Sequence, residues 1–477
     1  MDHDLTSFAE LFRRFLDDVV HRAGTQAVLT PLGEVIQTHM GLDVGILPTV
    51  SETIAGHRLV DVDLAMVEIS SRSTGRIVGV SLGQNKWHED LASLLKNPHA
   101  RFEVAPVDYA SVASGFDEEM RVVAFGVRLF SFAGLPVAVL QRAAKPENGR
   151  EHGSLEILAP TPEVASALIR EVRVLMVSFS VLKGKVVSFS GNEFGQSAAG
   201  VTFLPRPNVV ASDVILAEGT LDKVRRHVVA IGEHRDQLIA SGQHLKRGVL
   251  LYGPPGTGKT LTVRHLITAT PDTTVVLLTG SSIRFIQDAA ELARAMQPSI
   301  VVLEDVDLIA SDRSMHGPQP LLFTVLDALD GLDGDADVTF LLTTNRVELL
   351  ERALAERPGR VDLAVEVGLP DASARRRIFE LYARGLPFSA DAISAAADRA
   401  EGVTGSFAKE LIRRAVIVAA EQSRPPTDAD LASQLGSLLD DAESLTRSLL
   451  GAPPVSGEES GSWVAYSASY SPGMGSE

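Results

Sequence analysis

Gly253-Pro254-Pro255-Gly256-Thr257-Gly258-Lys259-Thr260 satisfies every fixed position of the pattern G-x-x-x-x-G-K-[ST]. An apolar run, 248–252, leads into it, and a helix-like segment, 261–269, opens behind it at Leu261. Strand, loop and helix in that order are what a phosphate-binding loop requires. Glycines let the backbone turn tightly and aim its N–H groups at a phosphate. A helix N-terminus adds partial positive charge at the same place. Lys259 is spaced to reach the β- and γ-phosphates, and the Thr260 hydroxyl to ligate Mg2+. The chemistry implied is the binding of a nucleoside triphosphate.

Two strand ends and a turn supply further polar groups. The apolar run 299–303 ends in Glu304, Asp305, Val306 and Asp307. Such an end delivers carboxylates to a phosphate site, one to hold Mg2+ through water and the next to polarise an attacking water. A second run, 338–344, ends in Asn345, a polar group suited to the γ-phosphate. Glu356-Arg357-Pro358-Gly359-Arg360-Val361-Asp362 presents arginine on a turn.

The elements that must position these groups are strands at 248–253, 275–280, 300–304, 338–343 and 364–367, with helical segments between them. Strands alternating with helices imply a parallel sheet with ligands at its carboxyl edge. From 372 only helical patterns remain, which predicts a small helical lid. Ahead of this region, Leu5, Phe8, Phe12, Phe15 and Val19 follow helical spacing and read as a core-facing stripe. Strands are expected at 60–64, where Val60, Val62 and Leu64 alternate with Asp61 and Asp63, and at 76–82 and 121–132. A helix is expected at 163–170, and one or two strands at 172–189. Trp87 and His88 read as a packed indole and a surface imidazole rather than a site. The Gly- and Ser-rich stretch 191–200 reads as a linker or loop. The Ser/Gly/Pro-rich end, from about 453, reads as a disordered tail in which Trp463, Tyr466 and Tyr470 are incidental. The expected organisation is an α+β domain at 1–205, an α/β nucleotide-binding domain at 206–371, a helical lid at 372–450 and a tail at 451–477.

At 477 residues the chain is too long for one ordinary core. Its net charge of −17 disfavours non-specific nucleic-acid binding. The absence of cysteine rules out disulfides, thiolate metal sites and Cys nucleophiles. The acidic Met1-Asp2-His3-Asp4 start is unlike a signal peptide. The apolar windows 129–140 and 172–182 fall short of the ~20 residues that span a bilayer. A cytoplasmic location is expected.

The order of phosphate loop, acidic strand end, Asn-tipped strand and Arg-Pro-Gly-Arg turn resembles the AAA family of AAA+ ATPases, over about 211–432. The lead-in, 213–219, 221–238 and Lys246-Arg247-Gly248, resembles the segment that packs near adenine in that family. The resemblance implies a P-loop NTPase fold with a helical lid, with ATP and Mg2+ as ligands. Gly253 to Leu261 would cradle the nucleotide, and Thr260 and Glu304 would serve the metal. Asp305 would orient water, Asn345 would be the sensor, and Arg360 would be an arginine finger acting on a neighbouring subunit. A finger supplied in trans implies a homo-oligomeric ring, most often a hexamer. Arg284, Phe285 and Ile286 match the family's pore loop, where an aromatic grips an extended polypeptide; the alternative is that Phe285 packs under the following helix. Gly402 to Lys409 resembles the second sensor region, with Lys409 reading as a surface lysine.

Two departures qualify the resemblance. The family's strand end usually reads Asp-Glu, whereas this one reads Glu304-Asp305, and a shift of about 1 Å in a catalytic group can cost ~10²-fold in rate. Leu363 stands where the family usually has a second arginine. Both departures resemble the branch that contains the mitochondrial Rieske-protein translocase. The expected function is an ATP-hydrolysing ring that remodels, unfolds or translocates a protein client bound through the N-terminal domain. The alternatives are an ATP-gated scaffold with little turnover and a nucleic-acid motor or loader.

Overall fold

The computed structural model describes residues 12–15, 29–81, 85–97, 100–145, 150–190, 200–307, 327, 336–348 and 361–440. Contacts divide the chain into two units. The first comprises 1–210, 222–251 and 263–365, and the second 211–221, 252–262 and 366–477.

The first unit contains an N-terminal antiparallel sheet. Its strands are β1 (Thr49–Ile54), β2 (Arg76–Val80), β3 (Val104–Ala105), β4 (Asp108–Gly115), β5 (Glu118–Phe132), β6 (Leu135–Arg142) and β7 (Gly153–Leu158). They run in the order β1-β7-β6-β5-β2-β3, with β4 paired to β5. Helices α1 (Pro31–Met40), α2 (Leu59–Ser71) and α3 (Pro162–Ser178) belong to the same part. The β5–β6 hairpin turns at Ala133 and Gly134, both at positive φ. Such two-residue turns match the right-handed strand twist.

Phe12 and Phe15, expected on a core-facing stripe, are exposed, while Leu5, Phe8 and Val19 lie outside the described residues. Two further expectations for this part are corrected. Residues 60–64 are helical, within α2. The alternation there arises because Asp61 and Asp63 are themselves buried. Asp61 accepts bonds from Arg58 Nε (2.7 Å), Ser180 Oγ (2.8 Å) and the Val181 amide (3.0 Å). Asp63 accepts from Arg128 Nη2 (2.6 Å) and Gln141 Nε2 (3.0 Å). Buried carboxylates need such partners, so the polar positions do not mark a solvent face. The second correction is at 172–178, which continues α3 instead of starting a strand.

The first unit also carries most of a second sheet. Its strands are β8 (Val186–Ser190), β9 (Gly200–Leu204), β10 (Arg247–Tyr252), β11 (Thr274–Thr279), β12 (Ser299–Glu304), β13 (Val338–Thr344) and β14 (Leu363–Glu366). Their order is β14-β10-β13-β12-β11-β8-β9. β8, β11, β12 and β13 pair in parallel, while β9 folds back antiparallel on β8. Continuous apolar runs such as Ile300-Val301-Val302-Leu303 are fully buried, as a strand covered on both faces requires. The boundary expected at 205 therefore falls behind two strands of this sheet.

The second unit holds four helices: α6 (Ala372–Ala383), α7 (Ala390–Arg399), α8 (Gly405–Glu421) and α9 (Asp428–Leu439). Between β10 and β12 lie α4 (Lys259–Thr268) and α5 (Ile286–Ala295). Ile378, Phe379, Ala397, Phe407, Leu411, Leu435 and Ile215 form the core of the second unit. Among the described residues, no helix is long and apolar enough to cross a membrane.

Candidate active site

The loop 253–258 runs from the end of β10 to the first residue of α4. Gly253 lies at φ +141, and a Cβ there would sit 2.4 Å from the Val367 carbonyl oxygen. Gly256 lies at φ +77, where a Cβ would meet Ser406 Oγ at 2.8 Å and Thr404 Oγ1 at 2.9 Å. Gly253 resists a larger residue by conformation and by backbone contact, and Gly256 by its positive φ, with side-chain hydroxyls that would have to shift. Lys259 is buried, and its Nζ donates to the carbonyls of Gly253 and Pro254, each at 2.8 Å. The Thr257 hydroxyl donates to Pro254 O at 2.9 Å, bracing the loop from within. Pro255 is exposed, and Thr260 and Leu261 are half-buried in the first turn of α4. A glycine-rich loop, an ammonium and a helix N-terminus suit a triphosphate. The Thr260 hydroxyl is an oxygen donor of the kind Mg2+ takes.

The N-terminus of α8 closes on this loop. Thr404 caps the helix by accepting the Phe407 amide at 3.3 Å, and the Ser406 amide donates to Gly256 O at 3.3 Å. Lys409 is exposed. Beside Thr257 lies a cavity of about 210 Å3 lined by Ile215, Leu216, Ala217, Val367, Leu369 and Ile378, among others. Its apolar walls fit a flat heterocyclic base. These wall residues carry no motif of their own; only the lead-in 213–219 hinted at them.

In the first unit, β12 and β13 bring the acidic and amide groups together. Asn345 Nδ2 donates to Asp305 Oδ1 at 3.3 Å. The Asp305 amide donates to Thr343 Oγ1 at 3.0 Å, and Asp305 itself lies at φ +53. Asp307 is buried, and its Oδ1 accepts from Thr344 Oγ1 (2.9 Å) and from the Asn345 amide (3.0 Å). Glu304 ends β12 and is half-buried. Sequence reasoning noted Asp307 but assigned it no role, and it missed Thr343 and Thr344, because their partners depend on which strand pairs with which. Arg357 and Arg360 lie outside the described residues.

The candidate pore-loop residues occupy the turn after β11. Ile286 is fully buried at the start of α5, so its side chain belongs to the core. Phe285 is half-buried, with its ring centroid 6.0 Å from that of Phe189 on β8. Arg284 is exposed, and its guanidinium lies 4.8 Å over the Phe285 ring. The arrangement favours packing for Phe285 and leaves Arg284 as the outward group. Trp87 is buried against Phe125, and His88 is exposed.

At the opposite, N-terminal ends of the strands, Arg247 is buried. It donates to Asp337 Oδ1 (2.5 Å) and Thr339 Oγ1 (2.9 Å). Burial pulls the guanidinium below its ordinary value, and the Asp337 carboxylate opposes that shift.

Comparison with known proteins places this geometry. Residues 249–369 match the model of the ATPase family associated with various cellular activities (AAA). The chain is 30% identical over 278 residues to ATP-dependent zinc metalloprotease FtsH 3 of Synechocystis sp., covering 54% of this chain and 45% of that protein. It is 30% identical over 259 residues to protein CdcH of Halobacterium salinarum, covering 52% and 34%. It is 32% identical over 201 residues to 26S proteasome regulatory subunit 7 of Dictyostelium discoideum, covering 39% and 46%. The chain thus spans less than half the length of these curated relatives.

Proposed function

We propose, from the match of residues 249–369 to the model of the AAA ATPase family, that this protein binds and hydrolyses ATP as a ring of identical subunits that remodels a protein client. The observation that carries the reading is the loop 253–260, whose glycines resist a side chain and whose lysine is held over its own carbonyls. The loop and the apolar cavity beside Thr257 take the triphosphate and the adenine of ATP. Thr260 and Glu304 hold Mg2+, which when bound neutralises charge on the β- and γ-phosphate oxygens. Asp305, aligned by Asn345, orients the attacking water. Arg360 of a neighbouring subunit stabilises charge that develops on the transferring phosphoryl group. A finger supplied in trans requires a ring, and a hexamer is the proposed size.

The names of two relatives, a metalloprotease described as ATP-dependent and a proteasome regulatory subunit, support a polypeptide client. The 477 residues contain no H-E-x-x-H, so zinc-protease activity is said of the named relative alone. The N-terminal part, with its antiparallel sheet, is the proposed client or adaptor site, and a cytoplasmic location goes with this reading. The reversed acid pair Glu304-Asp305 favours one second reading, an ATP-gated scaffold with little turnover.

Steady-state ATP turnover separates the two. The wild type is expected to hydrolyse ATP, and Asp305→Asn and Arg360→Ala each to lose about 10²-fold or more. A wild type that binds ATP and assembles without turnover would replace the motor by the scaffold.

A further inference from the structure

We propose that Asp307 and Thr343 are positioning residues for hydrolysis: together they hold the Asp305 carboxylate against the Asn345 amide. The inference rests on the ATPase reading above and extends it to two side chains outside the nucleotide loop and the sensor.

Asp305 occupies the left-handed region at φ +53, which residues other than glycine seldom adopt. Such a backbone persists only where its surroundings over-determine it. Four hydrogen bonds do so here. The Asp305 amide donates to Thr343 Oγ1 at 3.0 Å, and the Val306 amide donates to Thr343 O at 3.0 Å. From the other side, Asp307 Oδ1 accepts the Thr344 hydroxyl at 2.9 Å and the Asn345 amide at 3.0 Å. The turn after β12 is thereby stitched to the last residues of β13 and to Asn345 beyond it, in both directions. The Thr344 hydroxyl accepts the Arg346 amide at 3.0 Å, so the stitch extends past the sensor. Thr343, Thr344 and Asp307 are all buried. Water therefore does not readily replace these bonds, and a lost partner leaves a buried group unsatisfied.

The side-chain length at 305 explains why the clamp matters. An aspartate has one methylene fewer than a glutamate, so its carboxylate follows its backbone more closely. Relaxation of the turn from φ +53 would carry the carboxylate away from Asn345, and about 1 Å of displacement costs on the order of 10²-fold in rate. In this arrangement a strained turn, rather than a longer side chain, sets where the carboxylate lies.

The test is ATP turnover and nucleotide affinity of the full chain with Asp307→Ala, Asp307→Asn, Thr343→Val and Thr343→Ser. Asparagine keeps the Oδ1 acceptor and serine keeps the hydroxyl, whereas alanine and valine remove them. The expected result is a fall in kcat of about 10-fold or more for Asp307→Ala and Thr343→Val, with the dissociation constant for ATP within about two-fold of wild type. Asp307→Asn and Thr343→Ser should recover most of the loss. If Asp307→Asn proves as impaired as Asp307→Ala, the charge matters rather than the acceptor, and the clamp is overturned. Wild-type kcat in both Asp307→Ala and Thr343→Val overturns it as well, as does a loss that appears in nucleotide affinity instead of kcat. Should Asp307→Ala fail to fold, the Thr343 pair and Asp307→Asn decide alone. Absent turnover in the wild type overturns the ATPase reading and the clamp together; turnover with indifferent variants overturns only the clamp.

Discussion

At Gly256 a single methyl group would meet two hydroxyls of the α8 N-terminus while sitting at φ +77. An L-residue in that conformation costs about 1–2 kcal/mol before any collision. Gly256→Ala is therefore expected to weaken ATP binding by roughly 10-fold or more, as read by fluorescence titration with a labelled nucleotide. Undiminished affinity would mean that the loop adopts another conformation when it binds. This residue was legible in the sequence because the motif is local: its spacing alone fixes the loop, and the flanking strand and helix confirm it. Asp305 and Asn345 were legible for a related reason, since each ends an apolar run. The clamp beneath them was not. Nothing near Asp307 announces that Thr344 and Asn345, on another strand, will bond to its carboxylate. The candidate pore loop was legible as a pattern and misleading in part, because Ile286 is a core residue.

Among elements, strands β10 to β14 were read within a residue or two, since buried strands covered on both faces are continuous apolar runs. The misreading at 60–64 comes from polar groups satisfied inside the protein. Burial raises the Asp61 carboxyl above its ordinary value against the pull of Arg58 and Ser180. Its presence in α2 broke the apolar pattern of that helix into a false alternation. The hairpin β8–β9 was assigned to the wrong side of a boundary because its pairing with β11 is non-local. Below the sheet, the Arg247–Asp337 pair is nearly inaccessible, at 5% and 2% side-chain exposure. Removing one partner strands a buried charge, so Asp337→Ala should lower stability by about 3–5 kcal/mol in urea unfolding. Arg247→Met combined with Asp337→Leu should recover most of that loss. An Asp337→Ala protein as stable as wild type would show that the ion pair adds nothing. The capping box of α9 has a pH signature. Bonds from Arg424 and Thr427 hold the Asp430 carboxyl well below its ordinary 3.8. A depressed folded pKa contributes stability that is present above the unfolded value and is lost as pH falls through the folded one. Asp430→Asn should therefore lower the melting temperature at pH 7, with the difference shrinking below pH 3.8. A difference independent of pH would place the effect in the hydrogen bonds alone.

For the whole molecule, the proposed function requires a ring in which each subunit would complete its neighbour's site. The acidic balance of −17 speaks for a protein rather than a nucleic-acid client. The run of helices from 372 was readable from the change of periodicity along the chain. The fold of the N-terminal part was not readable beyond its α+β class, because antiparallel order depends on register between distant strands. The central claim is the shared site, and mixing subunits tests it most directly. Asp305→Asn and Arg360→Ala are each expected to be nearly inactive as pure rings. Co-assembled, an Arg360→Ala subunit retains Asp305, and an Asp305→Asn neighbour retains the arginine, so some interfaces regain both groups. ATP turnover is expected to reappear on mixing and to track the mass of the mixed ring. Two inactive variants that stay inactive after demonstrated co-assembly would contradict the shared site.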